Sequence, residues 1–261
     1  MMRRAVFGLL AAMSWLAFCD GPALAERLVT SVSTHRVMVT SNFTGDELVV
    51  FGAVERDAAT VPRRGGYDIV ITVVGPRQSV VTFRKQRMAG IWVNADSRVF
   101  LDAPTYLAIL GSRDFDSITN ADALRRLQIG LNHFQLPQKV GPDVADVVAN
   151  DPFRSALVRL RTEHGLFLEE PNAVTFLTPT LYRAAIPLPA EVPIGTYEVD
   201  VKLFADGVLI ARANSAFEVI KVGFEQFVAN VARDHGILYG LGTAMMALFT
   251  GWFAAVVFRR D

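Results

Sequence analysis

The sequence has almost no cysteine: a single residue, Cys19, in a chain of 261. It falls within the first 25 residues, which read as an export leader, so a mature chain starting at Glu26 would carry no thiol. That excludes an intrachain disulfide, a thiolate nucleophile and a cysteine metal ligand. Histidine is scarce too. His35, His133, His164 and His235 stand singly, without the spacing of a metal site. Only His133 and His164, on two expected helices, could meet. No charge of one sign dominates, since Lys+Arg and Asp+Glu each number 26, which argues against a nucleic-acid partner. With 51% hydrophobic and 20% charged residues, the composition is not that of a disordered chain. Nucleophile-elbow, P-loop and dinucleotide-binding patterns are all missing. The expectation is therefore a protein that is not an enzyme and uses no cofactor or metal, with a periplasmic hydrolase as the weakest alternative.

What the sequence does have is two long uncharged runs, one at each end. Arg3 and Arg4 precede Ala5 to Phe18, 14 residues without charge, and Ala23-Leu24-Ala25 supplies the small-x-small pattern of a signal-peptidase site. The run is too short for a bilayer core of about 30 Å, so residues 1–25 are expected to be a cleaved signal peptide. Gly236 to Phe258 runs 23 residues without charge, about 34 Å as a helix, and is expected to cross the membrane. Arg259 and Arg260 follow it directly and favour a cytoplasmic tail, residues 259–261. The bulk of the chain would then be periplasmic and the protein a single-pass component of the inner membrane. Setting aside the arginines and aspartates of the two ends, that bulk holds 22 basic and 24 acidic residues.

Small residues recur along the span. Gly236, Gly240 and Ala244 are four apart, as are Ala247, Gly251 and Ala255. Such rows let a second helix approach closely and mark these six as candidate helix-packing positions.

Between the ends, residues 26–223 read as mainly β: an immunoglobulin-like antiparallel β-sandwich interrupted by a helical insertion at about 119–168. Short alternating runs such as YDIVITVV and TYEVDVKLF indicate strands with a buried face. Gly75-Pro76 and Arg63-Arg64-Gly65-Gly66 read as turns, and Asp206-Gly207 as the turn of a late hairpin. Thr119-Asn120 can cap a helix over Ala121–Phe134, and Asp151-Pro152 can start another that ends at Gly165. Gly141-Pro142 would join them. Residues 224–235 are expected to form a juxtamembrane helix leading into the span at 236–258.

One stretch is strongly basic. From Glu55 to Arg98 there are eight basic and four acidic residues. Within it, RKQRMAGIWVN sets Arg84, Lys85 and Arg87 beside Trp92 and Asn94. Arginine forks suit carboxylate, sulfonate or phosphate groups, so these five residues form a candidate small-anion site. The competing reading is a charged strand edge that discourages pairing, with Trp92 in the core.

The stretch YDIVITVVGP, followed by RKQRMAGIWVN, APTYLAIL, LRRLQIGL and the C-terminal span, resembles an alphaproteobacterial family of transmembrane proteins of about 260–270 residues. The likeness covers nearly all of the mature chain. Where relatives continue with a Ser-x-x-Pro-Leu-like segment, this chain has GSRDFDSI, so nothing is carried over to that loop. The resemblance implies a bilayer protein of no assigned chemistry, and an accessory role beside a sulfite-exporter-like permease. Two functional readings follow: an interaction protein for a membrane transporter, and a periplasmic small-anion-binding module.

Overall fold

The computed structural model describes residues 26–40, 43–56, 66–140, 143–146, 151–223, 228 and 231–258. The expected leader, the turn at Arg63–Gly65, the joint at Gly141-Pro142, residues 224–227, 229 and 230 of the expected juxtamembrane helix and the expected tail 259–261 lie outside them. Residues 231–234 are helical.

Among the described residues, the named elements are fourteen strands and four helices, in chain order. They are β1 (Arg27–Val32), β2 (Arg36–Val39), β3 (Gly45–Glu55), β4 (Asp68–Val74), β5 (Arg77–Met88), β6 (Ile91–Pro104) and β7 (Leu107–Gly111). Then come α1 (Phe115–Ile118), α2 (Ala121–Leu127), β8 (Pro137–Val140), β9 (Asp143–Asp146), α3 (Pro152–Glu163) and β10 (Phe167–Glu170). The chain continues with β11 (Val174–Phe176), β12 (Leu181–Pro189), β13 (Gly195–Ala205), β14 (Val208–Lys221) and α4 (Gly236–Val257). The sheets run β1-β3-β12-β11, β10-β7-β4-β13-β14-β2 and β5-β6-β8-β9.

Pairing is antiparallel except for β7 with β10 and β14 with β2. The mainly β, antiparallel expectation holds, and the two parallel pairs sit at the two edges of the six-stranded sheet. A parallel partner needs a long return path, which the helices between β7 and β10 supply on one side.

Alternation drives the burial. β12 hides Tyr182, Ala184, Ile186 and Leu188, while β13 hides Tyr197, Val199, Val201 and Leu203 in the same core. Tyr106 Oη ties the two sheets by donating to the Pro187 carbonyl at 2.6 Å. β4 differs: Asp68 to Val73 are all buried, because both its faces are covered. The hairpin between β13 and β14 turns at Asp206 (φ 51°) and Gly207 (φ 81°), as the Asp-Gly pair requires.

Gly75-Pro76 is not a turn. The Gly75 N–H donates to the Tyr106 carbonyl at 2.8 Å, and the Pro76 carbonyl accepts from the Thr105 N–H at 2.9 Å. β4 thus runs on into β5, and β6 into β7, as one two-stranded ribbon from Asp68 to Met88 and back from Ile91 to Gly111. Proline is tolerated because its carbonyl, not its missing N–H, carries the pairing here.

The expected helix over Ala121–Phe134 stops at Leu127. Gln128 takes a left-handed conformation (φ 54°) and Gly130 follows with φ 98°. The next backbone groups are satisfied from outside: the Leu131 N–H donates to Glu169 at 2.7 Å, and Arg154 donates to the carbonyls of Leu131, Asn132 and Phe134 at 3.1, 3.3 and 2.7 Å. The insertion is also not wholly helical, since β8 and β9 form a hairpin inside it. The second start is as expected: the Asp151 side chain accepts from the Arg154 N–H at 2.9 Å and Pro152 opens α3.

Candidate functional site

Beyond the Gly75-Pro76 joint the ribbon leaves the six-stranded sheet. Its base is steadied by β8, which pairs with β6 at Val99 and Phe100, and by α3, which packs along β5. Between α3 and β5 lies a groove of about 690 Å³. Val80, Phe83, Phe153, Leu157, Leu160 and Leu166 form apolar walls, and Arg84, Lys85, Arg161 and His164 stand on them. Burial pulls the Arg161 guanidinium below its ordinary value. His164 Nδ1 is 3.3 Å from Glu191, and Arg84 and Arg98 lie over the Phe153 ring at 6.0 and 5.3 Å. An apolar trough with cations at its rim suits an amphiphile with an anionic head.

Of the five candidate anion residues, Arg84 and Lys85 line this groove, and Arg87, Trp92 and Asn94 do not. Arg84 faces Asp96 across the ribbon at 3.8 Å, and a bulge between Arg84 and Lys85 brings Lys85 opposite Asn94. Arg87 pairs with Trp92 near the end of the ribbon, where the chain reverses at Ala89 (φ 48°) and Gly90 (φ 88°). Trp92 is 69% exposed, so the alternative that placed it in the core is overturned. Among the described residues no second layer covers the tip to bury it.

A second site escaped the sequence reading. Lys202 is 3% exposed, donates to Thr72 Oγ1 at 3.1 Å and pairs with Asp200. Arg212 grips the same carboxylate with Nε and Nη2 at 2.5 and 2.8 Å. Arg77, Arg126 and Glu198 also line this site, a cleft of about 250 Å³. Burial depresses the Lys202 pKa and Asp200 opposes that shift. Strand alternation sets Glu198, Asp200 and Lys202 on the face opposite Tyr197, Val199 and Val201. The clue that was missing is the cover, Leu127 to Phe134, from elsewhere in the chain.

The two histidines that could have met have separate partners. His133 Nδ1 contacts the Ile129 carbonyl at 2.8 Å, whereas His164 faces Glu191. Among the described residues no three His, Cys, Asp or Glu side chains are grouped to hold a metal ion.

Helix α4 is of a different kind. Its 22 residues are all without burial against the rest of the chain, and at 1.5 Å each they span about 33 Å, a bilayer's apolar thickness. The family model described as "Putative transmembrane protein (Alph_Pro_TM)" matches residues 27–260, the whole β body and this helix together. The chain belongs to that family. Like its relatives in Alph_Pro_TM, it is a transmembrane protein with a single described span, in contact with the lipid bilayer. No curated protein matches it. Among solved structures it is similar to the N-terminal domain of the Streptococcus gordonii adhesin Sgo0707, at 8% identity and a TM-score of 0.28, over 74% of this chain and 32% of that one. The chain therefore spans about a third of that chain's length.

Proposed function

We propose that this family member is a non-enzymatic, single-pass inner-membrane protein that acts as an accessory to an integral-membrane permease. In this reading its β body is periplasmic and its last residues are cytoplasmic. The observation that carries it is α4. Every residue of this helix is exposed, and open space surrounds Gly236, Gly240 and Gly251 where a second helix backbone would lie. Affinity purification of the full chain from native membranes, with mass spectrometry, tests it. A permease should be recovered in stoichiometric amounts, and Gly240→Ile with Gly251→Ile should reduce its recovery several-fold. Unchanged recovery from the double variant would count against packing through these rows.

A second reading is favoured by Arg84 and Lys85 standing on the wall of the groove: the body captures an anion, with the apolar walls taking an attached chain. Calorimetry of the full chain in detergent with sulfite, phosphate, a short sulfonate and a long alkyl sulfonate checks this. Heat from the long sulfonate, lost in Arg84→Ala with Lys85→Ala, is the expected result. No heat from any of the four would sink it.

A further inference from the structure

The ribbon tip and the route into α4 leave the β body from the same end. Register fixes this: Val74 is opposite Glu198 on β13, and Gly195, a few residues before Glu198, is opposite Val219 on β14. A Cβ on Gly195 would sit 2.9 Å from Pro76, so Pro76, Gly195 and Val219 are level. β4 and β14 both antiparallel β13, hence they point the same way. Past that level one strand goes on as β5 toward the tip, and the other ends at Lys221, with fourteen residues between it and Gly236. Twelve residues of β5 reach at most about 40 Å, and fourteen of connection at most about 50 Å, so the tip and the start of α4 can meet one plane.

The tip is built for such a plane. Met88, Ile91 and Trp92 surround the Ala89-Gly90 turn at 58%, 64% and 69% exposure, more than a water-facing hairpin needs. Arg84, Lys85 and Arg87 stand just behind, with Asp96 the one carboxylate facing them across the ribbon. Tryptophan with short apolar neighbours seats at the headgroup level, and long cationic side chains reach back to phosphates.

We propose that the ribbon tip is a second membrane contact, inserting Met88, Ile91 and Trp92 into the anionic phospholipid leaflet on the body's side of the bilayer that α4 crosses. It rests on α4 spanning, and goes beyond that reading by holding the groove and the body close to the lipid. The span and the tip together fix the body's tilt, which a single attachment cannot do.

Nitroxide labels on the full chain in vesicles test this, in a Cys19→Ser background. Ile91→Cys reports the tip, Val208→Cys the opposite end of the body, and Leu248→Cys the span itself. Collisions with oxygen measure lipid exposure and those with a water-soluble nickel chelate measure water. With phosphatidylglycerol present, the oxygen-to-nickel ratio at 91 should be several-fold above that at 208. Arg84→Glu, Lys85→Glu and Arg87→Glu together should bring it down to the value at 208. A tip as wet as 208, or one shielded from both relaxers by a neighbouring copy, would overturn the proposal. A wet label at 248 would instead show that the span has failed.

Discussion

The two halves of one ribbon make an internal comparison. Its inner half, β4 with β7, and its outer half, β5 with β6, share a ladder that continues through the Gly75-Pro76 joint. Inside, Ile69, Ile71, Val73, Leu107 and Ile109 are exposed by 1% or less; outside, Val81 and Phe83 on the same strand path are 48% and 57% exposed. The ladder thus runs through both halves, but the inner strand β4 is paired on both edges and β5 on one, and the side chains differ in burial. What separates them is the layer above and below. The inner half lies between the β3–β12 sheet and the α2 segment, whereas the outer half has α3 along one strand, β8 beside the other at its base and, among the described residues, nothing at its tip. A two-stranded ribbon alone is marginal in water, so the inner half anchors and the outer half is carried.

The largest expected effect breaks this comparison directly. Ile71→Ala should destabilise the body by about 2–5 kcal/mol, the usual range for a fully buried aliphatic truncation. Val81→Ala, a like truncation ten residues on, should stay within about 0.5 kcal/mol. Denaturant titration of the full chain in detergent compares them. Equal losses would mean that the outer half is as firmly packed as the inner.

Next in size is the cover of the inner half. Arg154 is 4% exposed and holds the carbonyls of Leu131, Asn132 and Phe134. Arg154→Met keeps its bulk and strips the donors, which should cost about 1–3 kcal/mol and speed amide exchange in residues 129–134. A loss with no change in exchange there would place the role of Arg154 elsewhere.

Lys202, under that cover, and the tyrosines of the core respond to alkali in opposite directions. The folded-state pKa of Lys202 is depressed, so the unfolded chain holds its proton to higher pH and this group makes the fold more stable as pH rises toward the ordinary lysine value of 10.5. Burial raises the pKa of Tyr106, Tyr182 and Tyr197, so their contribution is present below 10 and is lost above it. The wild type should therefore lose stability above pH 10 in spite of the lysine. Lys202→Met retains the tyrosine loss and lacks the lysine gain, so its stability relative to wild type should fall as pH rises toward 10.5 in denaturation series. A constant difference would mean that Lys202 stays charged in the fold throughout.

Several of these features were legible in the sequence. The uncharged run from Gly236, the Asp206-Gly207 hairpin and the Asp151-Pro152 helix start are all local, and local chemistry decides them. The basic stretch with Trp92 was visible, but its placement on a free ribbon was not, because Gly75-Pro76 reads as punctuation until Tyr106 and Thr105 are brought alongside. Lys202 failed for a similar reason: alternation names a face, and only the fold says what covers it. The early end of α2 depends on Glu169 and Arg154, both distant in the chain.

The smallest expected effect sharpens the comparison. Each half of the ribbon carries one Asp–Arg bridge. Asp68 is 8% exposed, and its carboxylate accepts from Arg113 Nε at 2.6 Å and from Ser112 Oγ at 3.1 Å, while Ser112 Oγ in turn accepts from the Ile69 N–H. This bond and charge also raise the Arg113 pKa. Asp96 meets Arg84 at 3.8 Å with both side chains about half exposed, where screening and side-chain entropy take most of the attraction. Asp68→Ala should cost about 1–3 kcal/mol and change little with salt. Asp96→Ala should cost under about 1 kcal/mol, and 1 M salt should remove what there is. If the outer bridge proved the stronger, the outer half would be held by charge rather than carried by its anchor, and the ribbon would have two independent supports.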